Sequence, residues 1–86
     1  MDENTQLPEV TFSTFVLSLA SSTLMHLGEV PNPDTQKKEK NLLLAKHSID
    51  LLTMLEEKFR TGLTADETKL LQDLLYEVRI KFVQQS

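Results

Sequence analysis

Cysteine is absent from all 86 residues of the chain. No disulfide and no thiolate metal site can brace it. The chain is near the size at which a single core supplies only about 3–5 kcal/mol, so helix packing and association remain as sources of further stability. The same absence is compatible with a reducing cytoplasm without demanding one. Glycine is scarce too, with only Gly28 and Gly62, which excludes a glycine-rich phosphate loop. Tryptophan is missing and tyrosine occurs once, at Tyr76. Beside Arg79, Lys81 and Phe82 it reads as a helix end rather than a platform for stacked bases. A net charge of −4 and a pI of about 5.0 have the wrong sign for gripping phosphate backbones, so no nucleic-acid partner is expected. No serine sits in a Gly-x-Ser-x-Gly elbow, and nucleophilic catalysis has no support.

The most informative absence is local. From Val10 through Gly28 there is no Asp, Glu, Lys or Arg, in a chain that is 26% charged. An ordinary surface helix keeps one charged face, so a helix without one is expected to be covered on nearly all sides, by the fold or by a second chain. The stretch approaches the roughly 20 residues of a membrane span, but Ser13, Thr14, Ser18, Ser21, Ser22, Thr23 and His26 interrupt it. Membrane association is therefore not the favoured reading. The start Met1-Asp2-Glu3 lacks the basic residues of a secretory signal, and a cytoplasmic location is expected.

What is present points to an all-α fold of three helices, within a single domain over 11–84 that follows a polar flexible tail over 1–10. Thr11 or Ser13 can cap helix one, in which Phe12, Phe15, Val16, Leu19, Thr23 and Leu27 recur at helical spacing over about 12–27. Gly28 then suits a left-handed C-terminal residue, and Pro31 and Pro33 oppose continuation. The connection to Lys40 is long for neighbouring helices, long enough to carry helix one onto another chain. Asn41 caps helix two, about 42–60, with one stripe of Leu42, Ala45, Ile49, Leu52 and Phe59 beside a second of Leu44, Ser48, Leu51 and Leu55. Thr64-Ala65-Asp66-Glu67 fits a capping box that opens helix three, about 65–83. The short link before it predicts an antiparallel hairpin of helices two and three, with helix one packed across it or exchanged between chains. Helix three is expected to bury Leu70, Leu71, Leu74, Val78 and Phe82.

Function then lies in contact rather than catalysis. The candidate interaction surface is Phe12, Phe15, Val16, Leu19, Ser22 and Thr23 on helix one, with Tyr76, Ile80 and Val83 on helix three. A homodimer is the favoured partner state, because large apolar patches are uncommon on soluble monomers. Another protein is the second option, as when an amphipathic helix lies in a groove. No cofactor, metal or catalytic residue is expected. One alternative is a metal-dependent regulator or enzyme using His26, His47 and Asp50, although neither histidine belongs to a His-x-x-x-His or Glu-x-x-His pattern. Asp50, between Ile49 and Leu51, reads as a carboxylate drawn close to the core and paired with Lys46 or Arg79. The other alternative is a peripheral membrane-surface protein, weakened by the lack of a basic polar face.

The residues Phe12-Ser13-Thr14-Phe15-Val16-Leu17-Ser18-Leu19-Ala20, then His26-Leu27-Gly28-Glu29-Val30-Pro31, Ala45-Lys46 and Ile49-Asp50-Leu51-Leu52, carry a family resemblance. Leu63-Thr64, Glu67, Leu74-Leu75-Tyr76 and Arg79 extend it. Over about residues 10–83 the chain resembles the eighteen-forty-four family among bacterial domains of unknown function. That resemblance implies a small, soluble, helical bacterial protein, and it brings no functional residues with it. Phe59-Arg60-Thr61-Gly62-Leu63 departs from the pattern, where a polar Lys-Thr-type end and an Asn before Leu-Thr would be expected. Phe59 there extends the apolar face.

Overall fold

In a computed structural model, residues 9–85 are described, and they form three helices and one isolated β-bridge. Residues 1–8 of the expected tail lie outside the described residues. Helix α1 spans Phe12–His26, α2 Leu42–Lys58 and α3 Ala65–Gln85. Each begins where a short polar side chain can satisfy backbone N–H groups that have no partner inside the helix. At α1 the Thr14 N–H donates to Thr11 Oγ1 at 3.0 Å and the Thr11 N–H donates to Thr14 Oγ1 at 3.0 Å, so a threonine stands where a capping box usually has Glu or Gln. At α2 the Leu44 N–H donates to Asn41 Oδ1 at 3.0 Å. The box predicted at α3 is closed from both sides, Glu67 N–H to Thr64 Oγ1 at 3.0 Å and Thr64 N–H to Glu67 Oε1 at 2.9 Å.

Helix α1 ends by a left-handed glycine. Gly28 has φ +79°, its N–H donates to the Met25 carbonyl, and the Glu29 N–H reaches back to the Leu24 carbonyl. These two bonds make a Schellman motif. A β-carbon at Gly28 would meet Lys40 Cβ at 3.6 Å and the Glu39 carbonyl oxygen at 3.7 Å, which is ordinary contact. The constraint is therefore φ rather than space. Gly28→Ala is expected to cost about 1 kcal/mol, the left-handed penalty less the entropy removed from the unfolded chain. In a domain of this size that lowers the thermal midpoint by roughly 4–8 °C, to be read from a melt followed by circular dichroism.

The long connection is a folded segment. Asn32 organises it: the Asp34 N–H donates to Asn32 Oδ1, the Gln36 N–H to the Asn32 carbonyl, and the Asn32 N–H to the Lys37 carbonyl. Leu27 and Lys40 meet in an antiparallel bridge, and the Asn41 N–H donates to the His26 carbonyl at 2.7 Å. Helix α2 thus begins beside the end of α1, and α1 packs on the α2 and α3 of the same chain.

The core gathers Val16 from α1, Ile49, Leu52 and Leu55 from α2, and Leu71, Leu75 and Val78 from α3. Leu70, Leu74 and Phe82, expected inside, are half-buried, and Leu75 is interior instead. Helix α2 stops two residues short of the expected end because Phe59 leaves helical backbone at φ −109°, ψ 34°. At the other end of the molecule Glu29 accepts from Gln85 Nε2 at 3.1 Å and lies 3.9 Å from Lys81 Nζ, which ties the α1 terminus to the last turns of α3.

The chain is flat, 41 × 38 × 16 Å, with a radius of gyration of 14.0 Å. An 86-residue sphere-like domain would have about 12 Å. A thickness of 16 Å holds at most two helix layers at a spacing of about 8–10 Å, so every helix keeps one side towards solvent.

Candidate interaction surface

Helix α1 turns Val16, Ala20 and Thr23 inward. Thr23 is fully buried, and its hydroxyl donates to the Leu19 carbonyl one turn back at 2.8 Å, which satisfies it. Val16 and Thr23, expected on the outward surface, are instead interior to this chain. The cause is the uncharged sequence itself. With no charged residue to mark the solvent side, apolar spacing alone could not tell the inward stripe from the outward one. Within its own chain α1 is covered on one side only, because two neighbouring helices in a flat chain enclose only one side of a third.

Phe15 and Leu17 stay 51% and 45% exposed, and Thr11, Ser18, Ser21 and Ser22 are exposed beside them. Leu17 was not among the expected surface residues. Once the inward stripe is set at 16, 20 and 23, a residue about 100° from Val16 falls on the helix flank, and that is the signal that finds it. Phe12 is half-buried, its ring meeting Phe59 edge-on with centroids 5.5 Å apart. Leu19 is half-buried against the core.

On α3, Tyr76, Ile80 and Val83 lie outward with exposures of 69%, 38% and 71%, and they line a shallow groove with Gln72, Arg79 and Gln84. Arg79 Nη2 donates to Thr53 Oγ1 at 2.8 Å, and Thr53 in turn donates to the Ile49 carbonyl at 2.9 Å. The guanidinium thus serves the α2–α3 contact and not Asp50. A second depression of about 400 Å³ lies where α2 ends and α3 begins, lined by Phe59, Leu63 and Leu71 together with Glu56 and Arg60.

Asp50 is not drawn to the core. It is exposed and pairs with Lys46 at 3.1 Å, one turn earlier on α2. An exposed pair of this spacing is worth about 0.3–0.5 kcal/mol and marks a solvated helix side. His47 is exposed on the same side, along a depression lined by Leu43, Leu44, Lys46 and Asp50, whereas His26 is half-buried at the end of α1. Among the described residues no three of His, Cys, Asp and Glu gather in a way that could hold a metal ion. The set of His26, His47 and Asp50 therefore lacks the convergence a ligand shell needs. On α3 the Lys69 ammonium, 2.7 Å from Asp73, is held above the usual lysine range, first by that hydrogen bond and then by the carboxylate charge. A lysine shifted that way is a poorer general base.

A family model, described as a domain of unknown function (DUF1844), matches residues 9–84, which takes in α1, α2, both links and all of α3 but its last residue. The chain belongs to the DUF1844 family. No curated protein and no solved structure matches it. Membership fixes no activity, so function has to be argued from the surface. Among the described residues no helix is long and apolar enough to cross a membrane.

Proposed function

We propose that this protein acts by association and not by catalysis, as a small helical protein of the bacterial cytoplasm that binds through the outer side of α1. One observation carries the reading: a helix without a single Asp, Glu, Lys or Arg presents Phe15 and Leu17 to solvent. Charged and polar side chains keep exposed helix faces hydrated; on α1 only Ser and Thr hydroxyls do so, and Phe15 and Leu17 beside them gain from being covered.

A second copy of the chain is the occupant the charges favour. In a two-fold contact only a group beside the axis meets its own duplicate, so a charge there faces a like charge and a face free of charge avoids that repulsion. Helices α2 and α3 carry many Asp, Glu, Lys and Arg residues, and α1 carries none. The face is nonetheless small. At 15 residues α1 is about 22 Å long, and a side about 10 Å wide falls well below the roughly 800 Å² per partner of a standard interface. Association is therefore expected to be reversible.

Light scattering across a wide concentration range tests this. The mass is expected to rise from about one chain to two as concentration increases. A mass of one chain throughout, at the highest concentrations reached, would overturn self-association.

A further inference from the structure

We infer that two copies pair through α1 in antiparallel orientation, about a two-fold axis passing beside Ser18. This rests on the self-association reading and specifies its geometry. Ser18 follows Val16 by two residues, about 200° around the helix, so it points directly away from the core. Val16 is fully buried and Ser18 is exposed, as that placement requires. Among the described residues no hydrogen bond engages the Ser18 hydroxyl, unlike that of Thr23.

The two flanks of this outward line differ. Phe15 and Ser22 lie on one, and Leu17 and Ser21 lie on the other, with Thr14 near the middle. Shallow depressions run along both, one lined by Thr14, Phe15 and Ser18 with the residues before the helix, the other by Thr14, Leu17, Ser18 and Ser21. The face thus carries its own protrusions and its own hollows.

Orientation decides how they meet. In an antiparallel pair centred on Ser18, each flank faces the same flank of the other copy running the opposite way. Phe15 then lies over the partner's Ser22 and Thr14 over the partner's Ser21, while Leu17 lies beside the partner's Leu17. Large residues oppose small ones along one flank, and two leucines close the other. In a parallel pair the unlike flanks meet at equal height. Phe15 would press on the partner's Leu17 while serines faced serines, giving overpacking at one level and a void at the next. Within α1 the antiparallel arrangement buries no Asp, Glu, Lys or Arg, the nearest charge being Glu9 at the edge of the first depression, which suits a chain of net charge −4 that must otherwise repel its copy.

The absence of native cysteine makes the test direct. With helix axes about 8–10 Å apart and Cα atoms about 2.3 Å from each axis, facing Ser18 Cα atoms lie about 5 Å apart, within disulfide reach. Ser18→Cys, at an exposed site, is expected to give a covalent dimer as the main product of mild oxidation. Tyr76→Cys, on the outer side of α3, is expected to remain a monomer on a denaturing gel. Phe15→Cys mixed with a mass-tagged Ser22→Cys is expected to link across the pair in preference to either with itself. If the unmodified protein dimerises by mass while Ser18→Cys fails to link, or Tyr76→Cys links instead, the α1 geometry is wrong and self-association stands through another face. If the unmodified protein stays a monomer, both readings fall.

Discussion

Leu52→Ala is expected to destabilise the protein by about 2–5 kcal/mol. Leu52 is fully buried and lies in the cluster that joins all three helices, with Val16 of α1 and Leu71, Leu75 and Val78 of α3. Truncation there removes the apolar transfer energy of the side chain and leaves a cavity that three helices must collapse around together. Domains of this length hold roughly 4–13 kcal/mol in total, so the variant is expected to lose a large part of its stability. Urea denaturation reads it as a fall in the midpoint at unchanged slope. Leu43→Ala is the control on the same helix. Leu43 is 80% exposed, and its loss should stay within about 0.5 kcal/mol. Equal effects at the two leucines would mean that the described core is not the one that holds the fold.

Leu17→Asp is expected to abolish association while leaving the fold intact. Leu17 is 45% exposed on the flank of α1, so the aspartate reaches water in the free chain and costs about the helix-propensity difference, roughly 0.5 kcal/mol. In the pair, Leu17 lies beside the partner's Leu17, and the substitution sets two carboxylates against each other. Like-charge juxtaposition at a contact costs several kcal/mol. At 1.4 kcal/mol per tenfold, the dissociation constant is expected to rise at least about 100-fold. Sedimentation velocity should then show one chain at concentrations where the unmodified protein is associated, with the thermal melt almost unchanged. Leu19 is the wrong place for this substitution, because it packs against the core and an aspartate there would disturb folding as well. Undiminished association of Leu17→Asp would remove α1 from the interface.

Local signals in the sequence translated into structure wherever the physics was itself local. Thr64 and Glu67 are three residues apart, and a capping box needs only that separation and a helix start. Gly28 and Asn41 marked a helix end and a helix start for the same reason, since their backbone conformation and side-chain reach act on neighbours in the chain. The candidate surface was legible only in part. Phe15, Ser22, Tyr76, Ile80 and Val83 are exposed as expected, but Val16 and Thr23 were placed on the same surface and are interior. A 3.6-residue period shows that a helix has apolar stripes. Choosing which stripe is buried normally relies on charged residues opposite it, and α1 has none.

Contacts between residues distant along the chain had no counterpart in local spacing. Arg79 reaches Thr53 across 26 residues, Phe12 meets Phe59, and Gln85 meets Glu29 across 56. Asp50 was placed near the core by its apolar neighbours, yet one residue on a helix is about 100° of rotation, enough to turn it from Ile49's buried side to solvent. The sequence by itself determined three helices, their caps, the missing charge on the first and membership of its family, because propensity, capping and composition are carried by adjacent residues. Only the tertiary structure decided which side of α1 faces the core, how the long link doubles back through Leu27 and Lys40, and that the flat chain leaves Phe15 and Leu17 exposed. Those outcomes depend on how helices share a limited buried volume, and no single segment encodes that division.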